Sequence, residues 1–155
     1  MRARTQSPVV PIDTVPLDKV PPADTSAYRP VVLVVDDESV IADTLTEILS
    51  RSGYAAIAAY DGSEALETAL VTPPEMLITD VILPGMSGIE LAIQIRRIFP
   101  DCKILLFSGQ AAAVDLLATA NGAGHHFNIL SKPIHPRDLL ARVGESLRPV
   151  GAVAS

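Results

Sequence analysis

The chain has 155 residues, of which 48% are hydrophobic and 19% charged, and its formal net charge is −6. That length gives one ordinary domain a proper core, and the acidic balance argues against direct nucleic-acid binding, which depends on a basic patch. The single cysteine, Cys102, excludes an internal disulfide and a cysteine-rich metal site, and no apolar run approaches the length of a membrane span. Aromatic residues make up only 4% and Trp is absent. The core must therefore come from Val, Ile, Leu and Ala, a palette suited to a buried parallel sheet.

Residues 1–29 carry five prolines and no helical or strand periodicity, so an extended, unstructured leader is expected. Met1-Arg2-Ala3-Arg4 begins like the basic part of a signal peptide, but Pro8, Pro11 and Pro16 leave no apolar segment of adequate length after it, and a cytoplasmic chain is expected. A folded domain is expected over 30–148, and residues 149–155 are read as a patternless tail.

Within the domain, Val31 to Val35 is a β-branched run typical of a strand covered on both faces. Val40, Ile41, Leu45, Ile48 and Leu49 come next at helical spacing and stop near Gly53. Tyr54 to Tyr60 predicts an alanine-diluted second strand, after which Asp61 caps a helix with Ala65, Leu66, Ala69 and Leu70 on one face. Met76 to Thr79 predicts a third strand ending at Asp80. The loop from Leu83 to Gly88 leads to a helix carrying Ile89, Leu91, Ala92, Ile95 and Ile98, closed by Pro100. Ile104 to Phe107 predicts the fourth strand and residues 111–120 a fourth, unusually apolar helix in which Asp115 is the only charge. Phe127 to Leu130 predicts the fifth strand. His135-Pro136-Arg137-Asp138 opens the last helix, with Asp138 read as a capping acid.

Strands alternating with helices imply βαβ crossovers and a doubly wound, mostly parallel α/β sheet, whose chemistry lies at the carboxyl ends of the strands. Those ends are occupied in turn by Asp36-Asp37-Glu38, Asp80, Ser108 and Lys132-Pro133. Asp37, Asp80, Ser108 and Lys132 stand 43, 28 and 24 residues apart, each step close to one βαβ repeat. Clustered carboxylates repel unless a cation is present, and hard oxygen donors suit Mg²⁺. A carboxylate nucleophile, a cation, a hydroxyl and an ammonium together suit a phosphoryl group. Asp80 would attack in line, Mg²⁺ and Lys132 would neutralise the equatorial oxygens, and Ser108 would donate a hydrogen bond. Taken singly, Ser108 reads as a turn residue and Lys132 as a solvated charge; their placement relative to Asp80 is what raises them. His125-His126, with no further His or Cys at ligand spacing, reads as a polar loop.

Val-Val-Asp36-Asp37-Glu38, the run from Thr79 to Gly88, Phe107-Ser108-Gly109 and Ser131-Lys132-Pro133 together resemble the receiver domains of two-component response regulators over roughly residues 31–147. The resemblance implies a flavodoxin-like (βα)5 fold with strand order 2-1-3-4-5. It implies a phosphoacceptor at Asp80, fed by a sensor histidine kinase or a small phosphodonor. It further implies direct metal ligation by Asp37, with Asp36 beside it or acting through water, a ligand from the Ile82 backbone carbonyl, and a cis peptide at Lys132-Pro133. A stand-alone receiver is expected, acting on a downstream protein; relay to a histidine phosphotransfer protein is the alternative, and no enzyme activity is expected beyond its own phosphorylation and dephosphorylation. A haloacid-dehalogenase-like phosphohydrolase fits less well, since that family sets Asp-x-Asp after the first strand and carries a cap. Two departures stand out. Ile129 occupies the usual place of an aromatic switch residue, with Phe127 two positions earlier, and Leu83 stands where methionine is frequent. Two beyond the acceptor and two beyond the hydroxyl lie Ile82 and Gln110. An apolar Ile82 cannot orient an attacking water, so slow self-dephosphorylation is expected.

Overall fold

A computed structural model of the chain describes residues 28–109 and 113–148. The leader up to residue 27, residues 110–112 (with Gln110 and the expected start of the fourth helix) and the tail from residue 149 lie outside the described residues. Among the described residues, five strands alternate with five helices: β1 (Val31–Val35), α1 (Ser39–Arg51), β2 (Ala55–Ala59), α2 (Gly62–Val71), β3 (Met76–Asp80), α3 (Gly88–Ile98), β4 (Lys103–Ser108), α4 (Ala113–Gly122), β5 (Asn128–Ser131) and α5 (Pro136–Leu147). All neighbouring strands are parallel, in the order β2-β1-β3-β4-β5. This is the doubly wound flavodoxin-like sheet expected from the sequence.

The period-2 alternation of strand side chains splits the core into two layers. Leu33, Val35, Leu77, Ile104 and Leu106 face α2, α3 and α4, where Ala65, Ala69, Leu91, Ala92 and Ile95 meet them. Val32, Val34, Met76, Ile78, Leu105 and Phe107 face Leu45 and Leu49 of α1 and Leu139 and Val143 of α5. β1 and β3 read as unbroken apolar runs because each is covered on both faces. Among the described residues no helix is long and apolar enough to cross a membrane.

Local chemistry sets the element ends. Asp61 accepts from the Glu64 amide at 2.8 Å and caps α2, as expected. Ser87 and Glu90 close a capping box on α3, the hydroxyl accepting from the Glu90 amide and the carboxylate from the Ser87 amide. Asp138 is not the cap of α5. His135 holds that position, its Nδ1 accepting from the Arg137 amide at 3.2 Å, because Pro136 fills the first helical position and leaves Asp138 inside the first turn.

Four elements depart from the sequence expectation, β4 only by gaining Lys103 and Ser108 at its ends. β2 is trimmed to Ala55–Ala59 by its pairing with β1, Val31 opposite Ala55 and Val35 opposite Ala59. The fourth helix runs on to Gly122 rather than ending at Ala120. It ends through Gly124, at φ +91°, with the His125 amide donating to the Ala120 carbonyl at 2.8 Å. β5 runs Asn128–Ser131, and Phe127 falls outside it. Its ring lies 4.6 Å beneath the Arg96 guanidinium and stacks on His125 at 6.4 Å.

At the amino edge of the sheet, Pro30 accepts from the Ala55 amide at 2.8 Å and the Tyr28 hydroxyl donates to the Glu75 carboxylate. At the carboxyl edge, Asp80 lies opposite Phe107 and Ser108 opposite Ser131. This register brings the polar strand ends together.

Candidate functional site

Asp36 follows the last residue of β1 and is wholly buried. Its Oδ1 accepts from the Glu38 amide at 2.9 Å, which holds the carboxylate inward as the chain turns into α1. Asp80 is the last residue of β3 and nearly buried. Its Oδ1 accepts from the Ile82 amide at 3.2 Å, while Thr79 Oγ1 donates to the Asp80 carbonyl at 3.0 Å. Both the side chain and the backbone of Asp80 are thus fixed by neighbours. Asp37 is exposed, and the carboxylates of Asp36, Asp37 and Asp80 offer oxygens all within 4.8 Å of one another.

Lys132 follows β5, and its amide donates to the Ser108 carbonyl at 3.0 Å, tying the two strand ends together. The Lys132-Pro133 peptide is cis. The ammonium reaches across the sheet edge to Asp80 Oδ2 at 2.8 Å and Asp36 Oδ2 at 3.4 Å. Ser108 ends β4, half-buried beside this group. Ile82 is half-buried on the loop after β3 and packs against the core.

The electrostatics follow from burial and neighbours. Burial pushes the Asp36 carboxyl above the ordinary range, and the Asp80 charge adds to this. The Glu38 amide and Lys132 pull it back only in part. Burial alone would depress the Lys132 ammonium, but the hydrogen bond and charge of Asp80, with Asp36 behind it, outweigh burial and hold it above its usual value. Lys132 therefore remains a cation at neutral pH. Three clustered carboxylates, two of them paired with one ammonium, leave an excess of negative charge. A hard oxygen donor set of this kind fits a divalent cation that keeps several waters, such as Mg²⁺.

The sequence anticipated Asp36, Asp37, Asp80, Ile82, Ser108 and Lys132, and all six lie at the carboxyl edge of the sheet. It read Gly88 only as part of a loop motif. A Cβ on Gly88 would stand 1.9 Å from the Asp80 carbonyl oxygen and 3.1 Å from Thr79 Oγ1. The Gly88 amide also donates to the Val81 carbonyl at 2.8 Å. Glycine is required here by the close approach of α3 to the end of β3, not by an unusual φ. Phe107 reads from sequence as the end of the fourth strand and is fully buried, yet its ring centroid lies 5.1 Å from Lys132 Nζ.

Comparison with known proteins agrees with this geometry. The family model for the response regulator receiver domain matches residues 32–144. A CheY-like receiver domain protein from Methanospirillum hungatei JF-1 is similar at 29% identity, with a TM-score of 0.70 over 77% of this chain and 94% of that one. The chemotaxis protein CheY4 of Vibrio cholerae is similar at 28% identity, with a TM-score of 0.69 over 77% of this chain and all of that one (100%). A two-component transcriptional regulator AraC from Clostridium phytofermentans ISDg shares 30% identity, with a TM-score of 0.65 over 76% and 91% of the two chains. With the fold, the strand-end carboxylates and the inward lysine in one arrangement, the chain belongs to the response regulator receiver domain family.

Proposed function

We propose that this receiver, over about residues 30–148, is a phosphoacceptor switch in a two-component pathway, with Asp80 as the acceptor. The observation that carries the reading is the Lys132 ammonium at 2.8 Å from Asp80 Oδ2, beside three carboxylates whose oxygens lie within 4.8 Å. An Asp80 oxygen attacks the phosphorus of a phosphohistidine on a sensor histidine kinase. The O–P bond forms as the N–P bond breaks, and the leaving imidazole nitrogen takes a proton from solvent. Lys132 meets the negative charge on the phosphoryl oxygens, and Ser108 donates to one of them. Asp36, Asp37 and Asp80, with the Ile82 carbonyl, would hold Mg²⁺, which supplies further neutralisation of the phosphoryl charge. Output through altered affinity for a downstream protein accords with such a switch. A cytoplasmic setting accords with a kinase-fed switch and with one buried, unpaired thiol at Cys102.

The test is intact-mass spectrometry after incubation with a small phosphodonor and Mg²⁺. One phosphate adduct is expected on the wild type and none on Asp80→Asn. Equal uptake by both proteins would refute the assignment of Asp80.

A further inference from the structure

Among the described residues, the Lys132 ammonium has around it Asp80 at 2.8 Å, Asp36 at 3.4 Å and the Phe107 ring, its centroid 5.1 Å away. In the reaction proposed above, on which this inference rests, both carboxylates are committed elsewhere. Asp80 gives its oxygen to phosphorus, and Asp36 belongs to the cation-binding set. The ring is the neighbour that does not change. Phe107 is fully buried in β4 directly opposite Asp80, and its carbonyl accepts from the Val81 amide at 3.1 Å, so its position is fixed to the acceptor strand. An aromatic face within about 6 Å attracts an ammonium without neutralising it or occupying it with an anionic acceptor.

We infer that Phe107 is a positioning residue for phosphoryl transfer: its ring face supports the Lys132 ammonium, keeping it aimed at the acceptor when the carboxylates turn to other partners. An aliphatic residue of similar bulk would fill the core between α1 and α5 equally well but would leave the ammonium no face to rest on. The role is electrostatic and directional, separate from the packing that the same side chain supplies to Leu45, Leu49 and Leu139.

The experiment uses the full chain with Phe107→Leu and Phe107→Tyr, each first checked by thermal melting. Initial rates of phosphate uptake from a small phosphodonor are followed by intact mass with Mg²⁺ at saturation. Phe107→Leu should lower the rate about threefold to tenfold, while Phe107→Tyr, which keeps the ring face, should stay within about twofold of wild type. A second readout is independent of turnover and of the tyrosine variant. The Lys132 ε-methylene protons, assigned by comparison with Lys132→Arg, should be shifted upfield by the ring in the wild type and should lose that shift in Phe107→Leu. Uptake by Phe107→Leu at the wild-type rate, equal losses in the leucine and folded tyrosine variants, or an unshifted Lys132 in the wild type would each overturn the inference. Absence of any adduct on the wild type would instead overturn the phosphoacceptor reading, and this inference with it.

Discussion

Gly88→Ala isolates the contact on which the position of Asp80, the proposed acceptor, depends. The added Cβ would stand 1.9 Å from the Asp80 carbonyl oxygen and 2.8 Å from its carbon, and the obstacle is backbone, so no rotamer relieves it. To reach even the 3.0 Å limit, α3 and the β3 end must separate by about 1.1 Å. That movement disrupts the Gly88–Val81 hydrogen bond of 2.8 Å and pulls on the Ser87–Glu90 capping box. Overpacking of this kind costs about 1–3 kcal/mol and a lost hydrogen bond about 1. The helix-propensity gain of alanine over glycine, about 0.5–1 kcal/mol, offsets part of this. The net loss is about 2 kcal/mol, a fall of roughly 10 °C in melting temperature for a domain of this size.

The acceptor should suffer as well. Its carboxylate is aimed by the Ile82 amide, which lies on the same displaced loop. A misplacement of about 1 Å at a reacting centre can cost up to about a hundredfold in rate. Thermal melts and initial rates of phosphate uptake measure the two effects separately. Gly144→Ala in α5 is the control: its Cβ would meet only the Tyr54 hydroxyl at 3.9 Å, so alanine should stabilise slightly there. A Gly88→Ala protein that melted within a degree or two of wild type would refute the close approach as the reason for glycine. A destabilised variant with unchanged uptake would refute the link from Gly88 to the acceptor.

Other consequences can be tested with the same assays. Lys132→Ala leaves buried Asp36 and Asp80 without their ammonium. Its melting temperature should fall by several degrees without metal, Mg²⁺ should raise it by more than it raises wild type, and phosphate uptake should slow at least tenfold. Equal Mg²⁺-induced shifts in both proteins would argue against those carboxylates as the cation site. Burial pushes the Cys102 thiol up to about 12, with Arg96 opposing weakly. The folded protein therefore keeps its thiol protonated through pH 8–10, where an unfolded chain forms thiolate. Alkylation at pH 8 should be roughly a thousandfold slower before denaturation than after it, and comparable rates would contradict the burial. By the same sign, this thiol's contribution to stability is complete below about pH 9 and is lost as pH rises toward 12. Ile82, two positions beyond Asp80, carries an apolar side chain that cannot orient an attacking water, so the phosphorylated state should persist for minutes or longer at neutral pH with Mg²⁺. Ile82→Asn, which can orient a water, should shorten that lifetime several-fold by intact mass. Loss within seconds from the wild type would defeat this reading of Ile82.

Much of the site was legible because a parallel sheet converts spacing into proximity. Once each apolar run is assigned to a strand, Asp36, Asp80, Ser108 and Lys132 must share one edge, whatever the helices between them do. The runs in β1 and β3 are readable since both faces are covered and no polar residue dilutes them. At the sheet margin the pattern weakens. β5 pairs on one side only and three of its four residues are exposed, so hydrophobicity drew Phe127 into a strand that register excludes. What holds Phe127 is Arg96, from a helix thirty-odd positions earlier, and no local pattern announces that partner. Asp138 was misread for a related reason: an acid after Pro136 resembles a cap, but the proline shifts the cap back to His135.

The residues that escaped are those whose importance lies in a surface they present to another segment. Gly88 carries no positive φ, the usual signal for an obligatory glycine. Its constraint appears only when α3 is laid against the Asp80 carbonyl. Phe107 shows the same limit from the opposite side. Its periodicity correctly buries it among Leu105, Leu139 and Val143, and thereby accounts for it completely. Burial, however, describes how much of the ring meets other atoms, whereas its face has a charge distribution of its own. The ammonium above that face comes from a residue 25 positions later, across a strand pair fixed by the Lys132–Ser108 backbone hydrogen bond. A hydrophobic pattern treats the ring as volume; the site uses it as a neutral electrostatic support, and replacing it by leucine separates the two roles.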